Sequence, residues 1–357
     1  MTGPGRVAGR AGLDHYPGPV APSAPPLLLV LDGNSLLHRA YHAAATGQLV
    51  DASGRAVWAL KGLVGYAARA AALLRPDALV VGFDCPDYSA RKEHYSEYKA
   101  HRPEKPADLT DQITAAPALL NATGIATVVP HAYEADDVLA SSAAHARRGG
   151  WRTVLMTSDR DSFALIDAST SVLRVRNGGF DQAVLVTSAA LAETYGVTPS
   201  QYRDYAALRG DPSDNLRGVP GFGAATAARL LAAFGSVEQA WAVWDGGDHK
   251  AVCAVVGERS GEHFGSAAGR ETIDRNRRLM AMRDDLPIPE LHTLRLPLSL
   301  TVMKRALAGR GIILGPSLWA LTGGLPPDAP DPAPLPQQWT RGSRRRRDPL
   351  PGQLALF

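Results

Sequence analysis

Short apolar runs recur through the first half of the chain, separated by longer stretches whose apolar residues are spaced as in helices. The short runs occupy residues 27–31, 78–83, 125–129 and 153–156. Continuous apolar runs of this length are typical of strands buried on both faces of a sheet. The longer stretches predict helices at 57–74, at 107–122 and from 138 onward. This strand–helix–strand alternation predicts an α/β fold, with a mostly parallel sheet and helices on both faces.

The pattern changes after residue 161. Two further runs, 171–175 and 183–186, flank Asn177-Gly178-Gly179 and predict a hairpin or an edge pair of strands. Beyond them the spacing is helical, at 224–234 and again at 270–283. We therefore expect a second lobe built from helices.

Composition divides the chain into four parts. Both ends are rich in proline and small residues, and four consecutive arginines stand at 344–347. Such segments are typical of extended, disordered chain. The expected parts are a disordered extension at 1–26, an α/β domain at 27–195, a helical lobe at 196–311 and a disordered tail at 325–357.

The overall composition excludes several classes of protein. A chain of 357 residues is long enough for two domains, and its two cysteines, Cys85 and Cys253, indicate neither a disulfide framework nor a thiolate metal site. A net charge of +3 means that any affinity for nucleic acid must come from local clusters. Neither a membrane span nor a signal peptide is evident. We expect a cytoplasmic monomer without membrane contact.

Acidic residues follow three of the strand-like runs. Asp32 and Asp84 end the first two runs, and Asp159 and Asp161 follow the run at 153–156. Ligands of open α/β sheets collect at the carboxyl ends of the strands. Residues two apart in an extended chain share a face, so Asp159 and Asp161 are expected to point the same way. The alternative for each single residue is an aspartate that caps a turn.

Three further acids, Glu134, Asp136 and Asp137, open a predicted helix. On a regular helix Glu134 and Asp137 are neighbours, whereas Asp136 points away. Either Glu134 precedes the helix proper, or the three residues serve two adjacent sites. Crowded carboxylates need a cation, and oxygen ligands suit Mg²⁺ or Mn²⁺. The alternative, that these acids complement a helix N-terminus, stays equally open.

Residues 87–105 combine basic and aromatic side chains. The basic residues are Arg91, Lys92, Lys99, Arg102 and Lys105, and Tyr88, Tyr95 and Tyr98 stand among them. This combination favours a nucleic-acid strand, through phosphate contacts and base stacking. Three glutamates in the same segment leave a solvated helical face as the alternative.

A second acidic and glycine-rich stretch lies at 205–227. Asp211 and Asp214 are spaced to share a helical face. Gly218, Gly221 and Gly223 form a turn before a helix, which would expose backbone N–H groups to a phosphate. Taken alone, the same stretch also fits an ordinary packing corner between two helices.

Six motifs in order resemble the 5′–3′ exonuclease and flap endonuclease family. They are L-L-L-V-L-D-G-N-S, G-F-D, E-H-Y-S-E-Y-K-A-H-R-P, Y-E-A-D-D, T-S-D-R-D and G-D-P-S-D-N-L-R-G-V-P-G-F-G. The resemblance covers residues 27–310 and includes the N-terminal domain of bacterial DNA polymerase I. No polymerase follows, so we expect a stand-alone bacterial member. The resemblance implies a PIN-like nuclease domain, a helical arch and a helix–three-turn–helix DNA-binding element.

The resemblance also implies a role for individual residues. A first metal cluster would comprise Asp32, Asp84, Glu134, Asp136 and Asp137, and a second Asp159, Asp161, Asp211 and Asp214. The catalytic basic residues would be Lys99 at the scissile phosphate with Arg91 and Arg102 nearby. DNA would be bound by Arg39, Tyr98, Gly218, Gly221 and Gly223. The family further implies two divalent cations and a monovalent cation such as K⁺ at the glycine hairpin.

The function implied is hydrolysis of DNA phosphodiester bonds at 5′ flaps, nicks or branches, during replication and repair. Two cations held by carboxylates activate water and stabilise the leaving oxygen without a protein nucleophile. Two alternatives are an RNA-directed nuclease of the same fold and a DNA-binding structural factor with little turnover.

The last five residues form an apolar peptide that the nuclease family does not explain. Gln353, Leu354, Leu356 and Phe357 resemble the Gln-Leu-x-Leu-Phe peptide by which bacterial replication proteins dock on the sliding clamp. The apolar side chains would fill a pocket and Gln353 would bond at its rim. The alternatives are that the tail folds back on the protein or has no function.

Overall fold

A central sheet organises the first domain. The computed structural model describes residues 24–43, 49–177, 179–314 and 318–324. Six strands pair in these ranges: β1 (Leu27–Asp32), β2 (Ala78–Gly82), β3 (Ala126–Val128), β4 (Arg152–Thr157), β5 (Thr170–Arg176) and β6 (Gly179–Val186). Their order is β3-β2-β1-β4-β5-β6, with the β5–β6 edge antiparallel and the other pairs parallel. The mostly parallel α/β sheet predicted from the sequence is confirmed.

Helices cover both faces of this sheet. They are α1 (Gly33–Ala43), α2 (Trp58–Leu74), α3 (Ala90–His94), α4 (Ala107–Thr123), α5 (Ala135–Arg148) and α6 (Ser188–Tyr195). Strand β1 shows why its sequence is apolar throughout. Leu29 and Leu31 face a core with α1, α2 and α4, whereas Leu28 and Val30 face the opposite core with α5. A strand buried on both faces cannot alternate polar and apolar residues.

The second lobe begins at α7. Its helices are α7 (Pro199–Arg209), α8 (Ala224–Phe234), α9 (Val237–Asp245), α10 (His249–Val256), α11 (Glu258–Gly265) and α12 (Ala267–Leu279). A two-stranded ribbon of β7 (Gly210–Asp211) and β8 (Leu216–Arg217) separates α7 from α8. The helix expected at 224–234 is confirmed. The one expected at 270–283 ends at Leu279, and the next residues form an irregular segment.

After α12 the chain returns to the first domain. The helical lobe therefore ends before residue 311, where the sequence placed its boundary. Arg295 pairs with Ala78 at the start of β2. Helix α13 (Leu300–Ala308) places Met303 and Leu307 in the core that contains α4, and α14 (Trp319–Thr322) packs against α2. Long-range packing of this kind has no local signal in the sequence.

Several predictions concern residues outside the described ranges. They include most of the N-terminal extension, Gly178 of the β5–β6 turn, and the tail with its C-terminal peptide. Among the described residues, we find no helix with both the length and the apolar composition to cross a membrane.

Candidate active site

The predicted acidic residues meet at the carboxyl edge of the sheet. Asp32 ends β1 and Asp84 follows β2, while Asp159 and Asp161 follow β4. The other members are Glu134, Asp136 and Asp137 at the start of α5, and Asp211 and Asp214 around the ribbon after α7. Two domains therefore contribute to one acidic surface.

Asp32 and Asp84 are held by neighbours at the strand ends. Asn34 donates its amide to Asp84 Oδ2 at 2.8 Å and accepts the Asp84 N–H at 3.1 Å. The N–H of Ala135 donates to Asp84 Oδ1 at 2.9 Å, which ties β2 to α5. Asp32 accepts from Thr157 Oγ1 at 2.7 Å. These contacts fix the direction of both carboxylates.

A glycine lets the two strand ends approach. A Cβ atom at Gly33 would lie 2.5 Å from the ring of Phe83, closer than side-chain atoms are found. Glycine therefore allows α1 to begin directly after Asp32 while Phe83 lies beneath it. In the tetrapeptide D-G-N-S, Asp32 thus provides a carboxylate, Gly33 allows Phe83 to pack closely, and Asn34 provides the amide that binds Asp84.

Glu134 precedes α5, as one of the two sequence interpretations required. Its backbone is extended, with φ −106° and ψ 168°. Its N–H donates to Asp137 Oδ2 at 2.9 Å, the pairing of a capping box. Asp137 therefore caps the N-terminus of α5, which is the alternative that the sequence left open.

For three of the acidic residues, Asp32, Asp136 and Asp161, nearby donors and cations do not offset the cost of burying a charged carboxylate. Burial raises the pKa of Asp32 to about 7. The negative charge of Asp84 raises it further, whereas the hydrogen bond from the Ser35 N–H lowers it. Burial, followed by Asp159 and Asp32, raises the pKa of Asp136 well above its usual range. Burial and then Asp159, Asp211 and Asp214 do the same for Asp161. Among the described residues Asp136 Oδ1 is buried without a hydrogen-bond partner.

This donor set fits a hard cation. The oxygens are carboxylates, and a buried carboxylate oxygen without a partner is what a cation would satisfy. Within the described ranges, no three His, Cys, Asp or Glu side chains are arranged so that they could already hold a metal ion. Basic side chains hold several of the carboxylates instead.

Lys99 lies against the first acidic group. Its Nζ is 2.9 Å from Glu134 Oε2, and its side chain is 18% exposed. Burial opposes its charge, but Asp214 and Glu134 outweigh burial and raise the pKa of Lys99. The backbone has φ +56°, an uncommon conformation for lysine, and its N–H donates to the Asp214 carbonyl at 3.0 Å. Lys99 is therefore a charged group directed at the carboxylates.

Arg102 is placed near the second group. Its Nη2 lies 2.7 Å from Asp214 Oδ1, and about half of its side chain is exposed. Lys99 and Arg102 thus face carboxylates from both domains, as the resemblance implied for residues near a reacting phosphate.

Arg91, Tyr98 and Arg39 each have partners within the protein. Arg91 forms a two-pronged ion pair with Asp137, and its side chain is 12% exposed. Tyr98 is 3% exposed and donates to Glu134 Oε2 at 3.1 Å, so its ring is not available for base stacking in this arrangement. Arg39 donates to Asn177 Oδ1 at 3.0 Å, at the turn between β5 and β6.

The three glycines of the predicted hairpin differ in their surroundings. A Cβ at Gly218 would lie 2.3 Å from the Arg209 carbonyl oxygen, so this glycine permits two backbone segments to cross. Gly221 has φ +85° and faces Ser260. The described residues leave open space at Gly223, the residue before α8. Space is thus open beside Gly223, whereas Gly218 lies where two backbone segments cross.

Family comparisons agree with this architecture. The N-terminal resolvase-like domain of 5′-3′ exonucleases matches residues 27–196, and the C-terminal SAM fold of the same enzymes matches residues 197–299. The chain belongs to the 5′–3′ exonuclease family.

Individual relatives give the range of similarity for this chain. DNA polymerase I of Mycobacterium leprae is 38% identical over 275 residues, which cover 76% of this chain and 28% of that protein. The chain thus spans less than a third of the length of this relative.

Two solved structures share the fold. A bacteriophage T5 flap endonuclease solved with DNA and metal ions has a TM-score of 0.56 and 19% identity, covering 79% of this chain and 92% of the other. A T5 5′-exonuclease solved with zinc also has a TM-score of 0.56 and 19% identity, covering 83% and 94%.

The sequence did not point to several residues of this site. Asn34, Thr157 and Ser35 support carboxylates, and Arg283 donates its N–H to Asp137 Oδ1 at 2.9 Å. The polar residues that follow β1, and the polar last residue of β4, were a usable signal. Arg283 had none, because its contribution is a backbone group from a segment expected to be helical.

Proposed function

We propose that the chain is a divalent-metal-dependent 5′–3′ exonuclease and flap endonuclease that acts on DNA with 5′ flaps, nicks or branches. The observation that carries the proposal is the group of crowded, poorly compensated carboxylates that lies against Lys99 at the carboxyl edge of the sheet. Cleavage of a phosphodiester needs such a combination of acidic and basic charge.

Eight of the nine predicted acids suit the metal sites. Asp32, Asp84, Glu134 and Asp136 would hold one Mg²⁺ or Mn²⁺, and Asp159, Asp161, Asp211 and Asp214 would hold another. The ninth, Asp137, is engaged by Arg91 and backbone N–H groups. When bound, the two cations supply Lewis-acid charge and lower the pKa of water at the phosphate.

The chain's own residues orient and neutralise the substrate. Lys99 contacts a carboxylate of the first acidic group and Arg102 one of the second. A phosphate bound between the two groups would therefore lie within reach of the Lys99 ammonium and the Arg102 guanidinium. A fixed ammonium stabilises charge that develops on the phosphoryl oxygens. Asn34 and Thr157 keep the carboxylates of Asp84 and Asp32 in position.

The duplex would be held at the start of α8. Gly223 leaves open space, and in the described residues no side chain caps this helix N-terminus. Backbone N–H groups at a helix N-terminus suit a phosphate. A monovalent cation such as K⁺ at this hairpin is part of the proposal and follows from the family resemblance.

A cleavage assay tests the proposal. The intact protein is incubated with a labelled 5′-flap DNA, a nicked duplex and a matched flap made of RNA, with Mg²⁺, with Mn²⁺ and with excess chelator. We expect metal-dependent release of 5′ products from DNA, with the RNA flap cut more slowly. Absence of cleavage with both metals would contradict the nuclease assignment, and preference for the RNA flap would contradict the substrate assignment.

The tail supports a further part of this proposal. The peptide at 353–357 would dock on a bacterial sliding clamp and raise the local concentration of the enzyme at DNA. The support is the sequence resemblance of Gln353, Leu354, Leu356 and Phe357. Anisotropy with purified clamp would compare the intact chain with a Leu356→Ala, Phe357→Ala double variant. Equal binding by both forms, or binding by neither, would contradict it.

A further inference from the structure

Arg91 is saturated by protein acceptors. A guanidinium has five N–H donors. Arg91 Nη1 donates to Asp137 Oδ2 at 2.7 Å, and Nη2 donates to Asp137 Oδ1 at 2.9 Å. Nε donates to the Leu279 carbonyl at 2.8 Å, and Nη2 also donates to the Ala281 carbonyl at 2.9 Å. Nη1 also lies 3.5 Å from Glu134 Oε2, as an ion pair. A phosphate would have to displace one of these described partners.

Asp137 is equally saturated. Besides Arg91, it accepts the N–H of Glu134 at 2.9 Å and the N–H of Arg283 at 2.9 Å. Its side chain is 1% exposed. An ionised carboxylate has about four acceptor sites, so four donors leave none over for a metal.

These contacts join three distant parts of the chain. Asp137 lies 46 residues from Arg91, and Leu279 lies 188 residues from it. The pair therefore connects α3, at the entrance of the basic segment, with the first turn of α5 and with the segment after α12. It links the nuclease domain, the basic segment and the DNA-binding lobe.

Helix α3 itself contributes little apolar packing to this junction, although Tyr95 after it packs against the core. None of the five residues of α3, all of which the structure describes, is buried. A cavity of about 320 Å³ lies beside the pair, with Tyr95, Tyr133 and Arg275 in its wall. Polar contacts of α3 therefore hold it in place: the hydrogen bonds of Arg91, and the N–H of Ala90, which donates to the Ala132 carbonyl at 2.9 Å.

We propose that Arg91 and Asp137 act together as a positioning pair, and that neither contacts the substrate or a metal. The pair holds the entrance of the basic segment against both domains and, through the Glu134 N–H, orients a residue of the acidic group. Lysine cannot replace Arg91, because a single ammonium cannot form the planar two-pronged contact. The inference rests on the proposed nuclease function for its catalytic readout.

The test is a double-mutant cycle on the intact protein, with Arg91→Gln, Asp137→Asn and the two combined. Arg91→Gln leaves the buried Asp137 carboxylate without its cation, and Asp137→Asn leaves Arg91 only its longer contact to Glu134, whereas the double variant removes both charges of the pair. We expect each single variant to lower the single-turnover rate on a 5′ flap about 30-fold or more, and the double variant to recover at least about threefold over either single. Arg91→Lys should be as slow as Arg91→Gln. All rates are measured where circular dichroism shows the variants folded.

Two further measurements exclude the other roles. If Arg91 contacts a phosphate, Arg91→Gln should lower the salt dependence of DNA binding by about one phosphate contact, as Arg102→Gln should. We expect Arg91→Gln to leave that slope unchanged. Calorimetric titration with Mg²⁺ should give the same stoichiometry for Asp137→Asn as for the unmodified protein.

The outcomes separate cleanly. Losses that multiply in the double variant, a reduced salt slope for Arg91→Gln, or loss of one Mg²⁺ in Asp137→Asn would overturn the positioning pair. The same cycle can be read from thermal unfolding. If the unmodified protein showed no cleavage, the nuclease function would be contradicted. The coupling between Arg91 and Asp137 could still be measured from thermal unfolding of the four proteins in the cycle.

Discussion

Arg91 and Lys99, two positively charged residues of the basic segment 87–105, have different roles. Near its start, Arg91 makes four hydrogen bonds to protein acceptors, lies 3.5 Å from Glu134 and is 12% exposed. Farther along, Lys99 contacts Glu134 through a single ammonium on a backbone with φ +56°. Both side chains reach the same glutamate. The difference is whether donors remain for another molecule once the protein contacts are made.

The acidic residues opposite them divide in the same way. Asp137 has four donors around it, whereas Asp136 has a buried oxygen without a partner in the described residues. The two are adjacent in sequence. Their environments, rather than their motif, separate a structural carboxylate from one suited to a cation.

The largest expected effect tests that division at Asp136. Asp136→Asn should remove a charge for which the protein offers no substitute, and should lower cleavage at least about 10³-fold, more than the 10–100-fold typical for groups that only support a ligand. Its Mg²⁺ affinity, measured by calorimetry, should fall in parallel. Asp111→Asn, an exposed change on α4, is the matched control. Near-normal cleavage by Asp136→Asn would remove the basis of the comparison.

The next effect concerns Lys99. Its charge should matter more in the transition state than in the bound ground state, because the phosphoryl oxygens gain charge as the bond breaks. Lys99→Ala should lower the single-turnover rate by about 10²-fold, with a smaller loss in DNA affinity measured with a non-catalytic cation. Equal losses in rate and affinity would instead make Lys99 a ground-state phosphate contact.

The sheet and its acidic edge were predictable because their causes are local. A strand buried on both faces requires a continuous apolar run, and Asp32 and Asp84 end two such runs. The same logic placed Asp159 and Asp161 after β4. The hairpin of β5 and β6 followed from turn residues between two short runs.

The roles of Arg91 and Asp137 were not predictable, because half of their partners are backbone groups. The carbonyls of Leu279 and Ala281 and the N–H of Arg283 exist whatever the side chain, so no residue type marks them. The return of residues 294–308 to the first domain was missed for a related reason. Met303 and Leu307 fit any amphipathic helix, and the sequence does not state which core receives them.

The smallest expected effect concerns Tyr98, where stacking on DNA and packing in the protein make opposite predictions. Its hydroxyl donates to Glu134 Oε2 at 3.1 Å, and its ring lies under Lys99, whose Nζ is 4.7 Å from the ring centroid. Tyr98→Phe keeps the ring and removes a hydrogen bond to a charged group, which should lower the free energy of unfolding by about 1.5–3 kcal/mol. DNA affinity should stay within about threefold, because a ring that is 3% exposed offers no face to a base. Urea unfolding and fluorescence anisotropy measure the two quantities on the same preparations, with Tyr88→Phe as the exposed control. Unchanged stability together with weakened DNA binding would show that Tyr98 leaves its buried position to meet the substrate.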